Sequence, residues 1–258
     1  MAALDPRPDV VMFQEANRRC IDLVCSRAGL GWRHVAAEIR TAEETDTPVR
    51  QRGVALAGTG PAPASAEILH DVPLPERTIH ASVELGGVET RVASYHAPPG
   101  VTWFEKKPQQ AVAFARWLAA QGGRVLFGAD ANTPEVDHPD FSSTRTHWHS
   151  GHSRLDGQPG DDLLWAESKA HHLQDALRVW LRENDEVAAD LAAANPSGPL
   201  AITHRTGRRK ASPGTARRYD CVWISDHFTV EAIDHPYEES VAAGSDHSAV
   251  VVDLGVRA

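Results

Sequence analysis

The connections between apolar runs set the strongest limit on the fold, because several are too short to hold a helix. Residues 78–85 and 89–95 are two such runs, and Gly86-Gly87 between them is a two-residue turn that suits an antiparallel hairpin. Parallel strands need a connection of about a dozen residues or more. The pattern therefore predicts mostly antiparallel strands and disfavours a doubly wound parallel fold.

Helices are predicted between some of the strands. Residues 105–121 carry apolar side chains at helical spacing, as do residues 17–30, and residues 163–194 are predicted to be mainly helical in two segments. The remaining predicted strands cover residues 9–14, 32–39, 52–57, 124–127, 219–225, 228–233 and 249–254. We therefore expect one mixed α/β domain over residues 1–258, with two stacked sheets and helices outside.

Composition and charge exclude some classes of protein. The 41% hydrophobic and 24% charged fractions are ordinary for a globular chain and argue against wholesale disorder. A formal net charge of −9 is not that of a protein that wraps nucleic acid through its overall charge. An acidic chain is still compatible with a nuclease, because a metal site needs carboxylates and local basic loops can hold phosphates.

The expected location is cytoplasmic, with no membrane segment. No apolar run reaches the roughly 18 residues that span a bilayer, and no basic-then-apolar segment opens the sequence. The three cysteines form no metal-ligand pattern, and their odd number precludes complete pairing, which fits a reducing compartment. Nothing in the pattern indicates an obligate protein partner.

One stretch is strongly basic against this acidic background. Between His204 and Arg218 there is no acidic residue, and there are six cations: Arg205, Arg208, Arg209, Lys210, Arg217 and Arg218. Such a run is either a solvated basic loop or a surface that contacts phosphate. Because it directly precedes a predicted strand with a candidate catalytic residue, we expect phosphate contacts from Arg205, Arg208, Arg209 and Arg218.

Polar side chains with catalytic potential lie at five predicted strand ends. They are Glu15, His96, Asp130 with Asn132, Asp220, and Asp246 with His247. Each has an ordinary structural alternative: Asp and Asn side chains commonly serve turns, and a lone Glu is most often a strand-end acid. Asp220 is harder to explain in this way, because a buried carboxylate needs a partner. His247 is a natural partner for it.

Taken together, these residue types match what cleavage of a phosphate ester requires. A divalent metal neutralises charge on phosphoryl oxygens, and hard oxygen ligands suit Mg²⁺ or Mn²⁺. Asp130 and Asn132 lie two positions apart and point to the same side of an extended chain, so they can orient one water or phosphate oxygen together. The set therefore predicts a metal-dependent phosphodiesterase, most simply a nuclease.

The order and spacing of these motifs resemble those of a known family. The motifs are Gln14-Glu15, Arg52-Gly53-Val54-Ala55, Ser94-Tyr95-His96, Gly128-Ala129-Asp130-Ala131-Asn132, Arg218-Tyr219-Asp220 and Ser245-Asp246-His247. They resemble the endonuclease/exonuclease/phosphatase superfamily, the deoxyribonuclease I-like group that also holds apurinic endonucleases, sphingomyelinases and inositol polyphosphate phosphatases. The likeness runs from about residue 9 to residue 254. Leu173-Gln174-Asp175-Ala176 and Thr203 also resemble family positions.

The resemblance implies a four-layered α/β/β/α sandwich of two mixed, mostly antiparallel sheets and a magnesium-dependent activity. It implies metal binding by Glu15 and Asp246, and water activation by Asp130. Asn132 would hold phosphate or the attacking water. His247 would contact the scissile phosphate and transfer a proton, with Asp220 fixing its tautomer, and His96 would stabilise the phosphate or the leaving oxygen.

The sequence departs from the family at its start. Members of the family begin with an Asn-bearing strand roughly twenty to thirty residues before the Gln-Glu pair, and here Gln14-Glu15 leaves no room for it. We therefore expect either a truncated chain or a shortened variant, with a neighbouring strand left unpaired. This departure favours an alternative, a catalytically inactive interaction module. A phosphatase or lipid phosphodiesterase on the same scaffold is a further alternative.

A second departure is the histidine-rich segment of residues 146–152. Its histidines could bind zinc, but no accompanying cysteine or His-x-x-x-His helix supports such a site. We expect a substrate-proximal loop there, with Trp148 packed against the protein.

Overall fold

The computed structural model describes residues 7–39, 52–99, 103, 105–146, 159–207 and 214–257. Thirteen strands lie in these ranges: β1 Val10–Ala16, β2 Trp32–Val35, β3 Gly53–Gly58, β4 Ala66–Glu67, β5 Thr78–Leu85, β6 Val88–His96, β7 Val125–Asp130, β8 Gln174–Asp175, β9 His204–Thr206, β10 Thr215–Arg217, β11 Asp220–Ile224, β12 Phe228–Asp234 and β13 Val251–Val256. The α-helices described are α1 Arg18–Ala28, α2 Ala36–Ile39, α3 Lys106–Ala119, α4 Pro159–Trp165, α5 Ala176–Glu183, α6 Asp185–Ala194 and α7 Tyr237–Ala242. No described helix is long and apolar enough to cross a membrane.

The strands form one large sheet and three smaller ones. The large sheet has the order β4-β5-β6-β7-β11-β8, and the next has the order β1-β3-β2. The other two are the pairs β12-β13 and β9-β10. Among the described strand pairs, β6 with β7 is parallel and the rest are antiparallel. The prediction of mixed, mostly antiparallel sheets is confirmed.

Successive side chains of β3 belong to two different apolar clusters, which shows what covers each face of the β1-β3-β2 sheet. Val54 and Leu56 belong to the apolar cluster shared with Leu126 of the large sheet. Ala55 and Ala57 point to the opposite face, in the cluster that contains Ile21 of α1. Successive residues of a strand face opposite sides, so β3 lies between a sheet on one side and a helix on the other.

The large sheet is covered in the same way on its outer face. Leu126 of β7 faces the other sheet, whereas Phe127 and Ala129 lie in a separate cluster with Phe114 of α3 and Trp165 of α4. The layers are therefore α1, the β1-β3-β2 sheet, the six-stranded sheet, and α3 with α4. This is the expected α/β/β/α sandwich.

Several elements differ from the sequence-based prediction. The strand predicted over residues 32–39 ends at Val35, and α2 follows it, because the alanines after Val35 favour a helix. The helix predicted over residues 163–194 is interrupted by the short strand β8. There the Asp175 carboxylate accepts a hydrogen bond from the amide of Leu177 (3.1 Å) and starts α5. The strands β4, β9 and β10 were not predicted, because two or three residues carry no clear period.

The strand β1 has one free edge within the described residues. Within the described residues, β1 pairs with β3 on one side only, and β13 pairs with β12 on one side only. The apolar residues of β1 from Val10 to Phe13 are all partly exposed. An edge strand with apolar faces is a site where strands can add.

A buried ion network ties the large sheet to α5. The Arg218 guanidinium, 5% exposed, donates through Nε to Asp137 (2.7 Å) and through Nη1 to Asp175 (3.2 Å). Arg178 of α5 also donates to Asp137 (2.6 Å). The charge of Arg218 holds the pKa of Asp137 below its usual value, although burial alone would raise it. The expectation that Arg218 contacts substrate phosphate is therefore corrected: its side chain is buried between two carboxylates.

We predict that Arg218→Met destabilises the fold by about 3–5 kcal/mol, because it leaves Asp137 and Asp175 buried with less compensation. The free energy of unfolding in urea measures this. Arg257→Met is the matched control, since Arg257 lies 48% exposed and 4.0 Å from Glu183; its effect should stay within about 0.5 kcal/mol. Equal small effects in both variants would contradict a structural role for Arg218.

Candidate active site

Three neighbouring strands bring three candidate residues level with one another. β6 ends at His96, β7 ends at Asp130, and the parallel register places these two residues side by side. β11 begins at Asp220, which the antiparallel register places opposite Asp130. His96, Asp130 and Asp220 therefore form one row across the six-stranded sheet.

This row faces the space between the two sheets. Asp130 lies four residues after Leu126 on β7, and Asp220 lies two residues before Val222 on β11, so each shares a face with an inter-sheet core residue. The candidate site is thus at the end of the inter-sheet core, where the last residues of the strands are polar instead of apolar.

His247 joins this row from the loop before β13. Its Nδ1–H donates to the Asp220 carboxylate at 2.9 Å. The hydrogen bond and charge of Asp220 raise the pKa of His247 to about 9, although burial alone would lower it. Burial, together with the charge of Asp130, raises the pKa of Asp220. His247 therefore carries a positive charge at neutral pH and is held in one orientation.

Asp130 is held from the other side by His96. The His96 Nε2 lies 3.3 Å from the Asp130 carboxylate, and His96 is only 4% exposed. The hydrogen bond and charge of His96 lower the pKa of Asp130 although burial alone would raise it, so Asp130 is ionised. We expected His96 to stabilise the phosphate or the leaving oxygen directly. The structure places it beside Asp130 in the row, and its contact with the phosphate stays a prediction.

Asn132 leaves the strand in an unusual backbone conformation. Its φ of 47° lies in the left-handed region, which residues other than glycine seldom adopt. The Asn132 amide donates to the Asp130 carboxylate (3.1 Å), its side chain donates to the Ala97 carbonyl (3.0 Å), and its carbonyl accepts from Lys107 (2.9 Å). These contacts keep Asn132 beside Asp130, but in a turn after β7 and not on the extended chain that we expected.

Thr203 fixes the start of β11. Its buried hydroxyl accepts hydrogen bonds from the amides of Tyr219 (2.8 Å) and Asp220 (3.0 Å). Its carbonyl accepts from the amide of Ser248 (2.7 Å). One threonine therefore connects the strand that carries Asp220 to the loop that carries His247.

Glu15 and Asp246, the two residues expected to bind metal, lie outside the row of His96, Asp130 and Asp220. Glu15 lies at a bulge at the end of β1 with φ 52°, and its carboxylate, 60% exposed, accepts from Arg52 at 3.1 Å. Asp246 is exposed beside His247. Both Glu15 and Asp130 act by charge on the guanidinium of Arg77, so the two carboxylates lie near the same cation.

The donor atoms can be tested for their fit to a divalent cation. Asp130, Asp220 and His247 each offer one ligand atom within 4.8 Å of the others, and His204, Asp246 and His247 form a second such group. Within the described ranges Glu15 belongs to neither group. Carboxylate oxygens converge at Asp130 and Asp220, and oxygen is the ligand that Mg²⁺ and Mn²⁺ prefer, so the residues fit such an ion.

Three residues near the site were not singled out from the sequence. His204 stacks on His247 with ring centroids 4.3 Å apart, Arg77 lies near Asp130, and Lys107 contacts Asn132. Lys107 resembles any surface lysine at the start of a helix. His204 and Arg77 are brought in by distant segments, so neither carried a local signal.

The basic run is only partly described. Arg205 lies on β9 with its guanidinium 5.8 Å from the centre of the Tyr237 ring. Arg208, Arg209 and the histidine-rich segment from His147 to His152 lie outside the described residues.

Solved structures resemble this fold across almost the whole chain. An AP endonuclease from Archaeoglobus fulgidus matches with a TM-score of 0.63 and 18% identity, covering 96% of this chain and 90% of its own. D. rerio TDP2 complexed with single strand DNA product matches with a TM-score of 0.58 and 11% identity, covering 96% and 86%. An endonuclease/exonuclease/phosphatase from Beutenbergia cavernae matches with a TM-score of 0.57 and 20% identity, covering 96% and 63%.

Sequence comparison alone finds no such relative: no family model matches the chain, and no curated protein matches it. The structural likeness rests on the layered sheets and covers nearly all of the chain. The chain therefore has the deoxyribonuclease I-like fold of the endonuclease/exonuclease/phosphatase superfamily.

Proposed function

We propose that this protein is a divalent-metal-dependent phosphodiesterase that hydrolyses nucleic acid. The observation that carries the proposal is the row of Asp130 and Asp220 on adjacent strands, completed by His247 at 2.9 Å from Asp220. This arrangement combines an ionised carboxylate with an imidazolium in a fixed orientation. Water needs such a pair to attack a phosphate ester.

His247 takes the role of the acid. Because Asp220 accepts its Nδ1–H, the second ring nitrogen is left to contact a phosphate oxygen and to donate a proton to the leaving oxygen. The raised pKa of His247, about 9, keeps that proton in place at neutral pH. Asp220 acts through His247 by fixing its orientation.

Asp130 takes the role of the group that orients or deprotonates the attacking water. Its lowered pKa leaves the carboxylate ionised. The Nε2 of His96, 3.3 Å from the Asp130 carboxylate, restricts the rotation of that carboxylate. Asn132 holds the phosphate or that water from the neighbouring position. His96 is thus a positioning residue for Asp130 in this scheme.

Glu15 and Asp246 are the proposed metal ligands. Mg²⁺ or Mn²⁺ bound there would supply charge neutralisation at the phosphoryl oxygens. We expect removal of the metal to abolish turnover.

Nucleic acid is the proposed substrate class. Two similar structures are an AP endonuclease and a TDP2 complexed with single strand DNA product. The cations Arg205, Arg208 and Arg209 come from the basic run next to the strand that carries Asp220. They supply phosphate contacts that the acidic chain, at −9, otherwise lacks.

The primary test compares single-stranded DNA, RNA, plasmid DNA and bis(p-nitrophenyl) phosphate as substrates, each with Mg²⁺, Mn²⁺ or EDTA. We expect cleavage of at least one nucleic acid that EDTA abolishes. Cleavage of the small diester alone would point to the phosphatase or lipid phosphodiesterase alternative. No turnover of any substrate would contradict the proposal and favour an inactive interaction module.

His247→Ala is predicted to lower kcat by about 10²–10⁴-fold, because it removes the proton donor. His227→Ala is the matched control: its ring is 45% exposed and it pairs only locally, with Asp226 at 3.2 Å. Steady-state kinetics measure the turnover of both variants, and thermal unfolding should show that both are folded. A His247→Ala enzyme with the turnover of the control would remove His247 from the mechanism.

Charge reversal in the basic run by Arg208→Glu with Arg209→Glu is predicted to weaken nucleic-acid binding and flatten its salt dependence. The slope of log K against log salt should fall in magnitude by about 0.7 per lost phosphate contact on single strands. Fluorescence anisotropy in EDTA across a salt series measures this. An unchanged slope would show that Arg208 and Arg209 do not contact the nucleic-acid backbone.

A further inference from the structure

A lysine lies directly behind the loop that carries Asp130 and Asn132. Lys107 is the second residue of α3 and its side chain is fully buried. Its Nζ donates to the Asn132 carbonyl at 2.9 Å and lies 3.7 Å from the Asp161 carboxylate of α4. Removing an ammonium from water is costly unless nearby groups compensate for it. A buried lysine at this position therefore needs a role that an apolar residue could not fill.

The residue that Lys107 contacts is one whose backbone is strained. Asn132 has a φ of 47°, and left-handed conformations of this kind persist only when the surroundings hold them. Its other hydrogen bonds go to Asp130 and to Ala97, both at the ends of strands in the large sheet. Lys107 adds a contact from the helical layer beneath, and so holds Asn132 from a second direction.

Asp161 connects this contact to a second helix. One oxygen of its buried carboxylate has no hydrogen-bond partner among the described residues, and the same is true of the hydroxyl of Tyr95. Burial, with the charge of Asp161, raises the pKa of the Tyr95 hydroxyl well above its usual value. Lys107 and Asp161 form a polar pair beside the otherwise apolar cluster that contains Tyr95.

We propose that Lys107, held by Asp161, is a positioning residue that fixes Asn132 and thereby sets the geometry of the Asp130 and Asn132 side chains. Lys107 itself does not touch the substrate. Its effect on turnover rests on the proposed function, whereas its effect on Asn132 does not.

Lys107→Met tests the proposal, because it keeps the length of the side chain and removes the ammonium. We expect kcat to fall about 100-fold, the scale that a misplacement of about 1 Å produces, while KM changes by less than about threefold. We also expect the backbone and side-chain amide resonances of Asn132 to shift in ¹H–¹⁵N spectra.

Gln110→Met is the matched control on the same helix. Gln110 is also fully buried and polar, but its side chain bonds the backbone of Leu74, at 3.0 and 3.1 Å, away from the loop. We expect it to lower thermal stability while leaving kcat within about threefold and the Asn132 resonances unchanged. Equal losses of kcat in the two variants, with equal spectra, would show a merely structural role for Lys107 and overturn the proposal.

Asp161→Asn covers the case in which Lys107→Met fails to fold. It keeps the shape of the side chain and weakens the hold on Lys107, so the same shifts of Asn132 and a smaller loss of kcat are expected. Unchanged Asn132 resonances in Asp161→Asn would overturn the proposal. If the wild-type protein cleaves none of the substrates, the proposed function fails, and the Asn132 resonances still decide the role of Lys107.

Discussion

The parallel pairing of β6 with β7 is the constraint on which the candidate site depends. Two parallel strands end at the same edge of a sheet, and α3 supplies the crossover that such a pairing needs. His96 and Asp130 are therefore level, although 33 sequence positions separate them. Because β11 runs antiparallel to β7, its first residue Asp220 reaches the same edge. An antiparallel β6–β7 pair would place His96 and Asp130 at opposite ends of the sheet.

Pairing at that edge keeps buried groups charged. Asp130 and Asp220 are both buried, and each is paired with a histidine: Asp130 with His96, and Asp220 with His247. The pairing keeps Asp130 ionised and His247 protonated although burial opposes both charges. Two carboxylates on neighbouring strands repel each other, and the imidazoles on either side offset that repulsion. The arrangement requires four residues from four segments of the chain, and the loss of one histidine would leave a buried carboxylate without its partner.

Local sequence signals predicted the parts of the fold that depend on local structure. The hairpin around Gly86-Gly87, the helix α3 and the strands β3, β7 and β11 all follow from period and turn residues, and each is confirmed within a few positions. The motif Asp130-x-Asn132 was visible because it follows an apolar run, and the pair Asp246-His247 because it lies shortly before one. The short strands β4, β8, β9 and β10 were not, since pairing with distant neighbours stabilises them more than their own sequence does.

The contacts of individual side chains were harder to predict than the helices and strands. His96 contacts the Asp130 carboxylate at 3.3 Å, a contact that the sequence did not indicate, and its contact with substrate stays a prediction. The carboxylate of Glu15 accepts from Arg52 at the end of β1, a contact that the sequence did not indicate, and its role as a metal ligand stays a prediction. Lys107 gave no signal because the first turn of a helix is normally solvated. In all three cases the deciding contact comes from a residue at least 25 positions away, beyond any local pattern.

The basic run shows that a charge pattern in the sequence does not reveal which cations are available to a ligand. This decides which residues of an acidic protein can hold phosphate. Arg218 looked like the other arginines of the run, yet its guanidinium lies between Asp137 and Asp175 and stabilises the fold. Arg205, on β9, packs its guanidinium over Tyr237 and is partly exposed. A charge that is already matched by two carboxylates has little field left for a ligand, whereas a cation over an aromatic ring keeps its charge available. The phosphate contacts proposed for this run therefore depend on Arg205, Arg208 and Arg209, and the cation nearest to Asp220 in sequence serves the architecture that holds Asp220 in place.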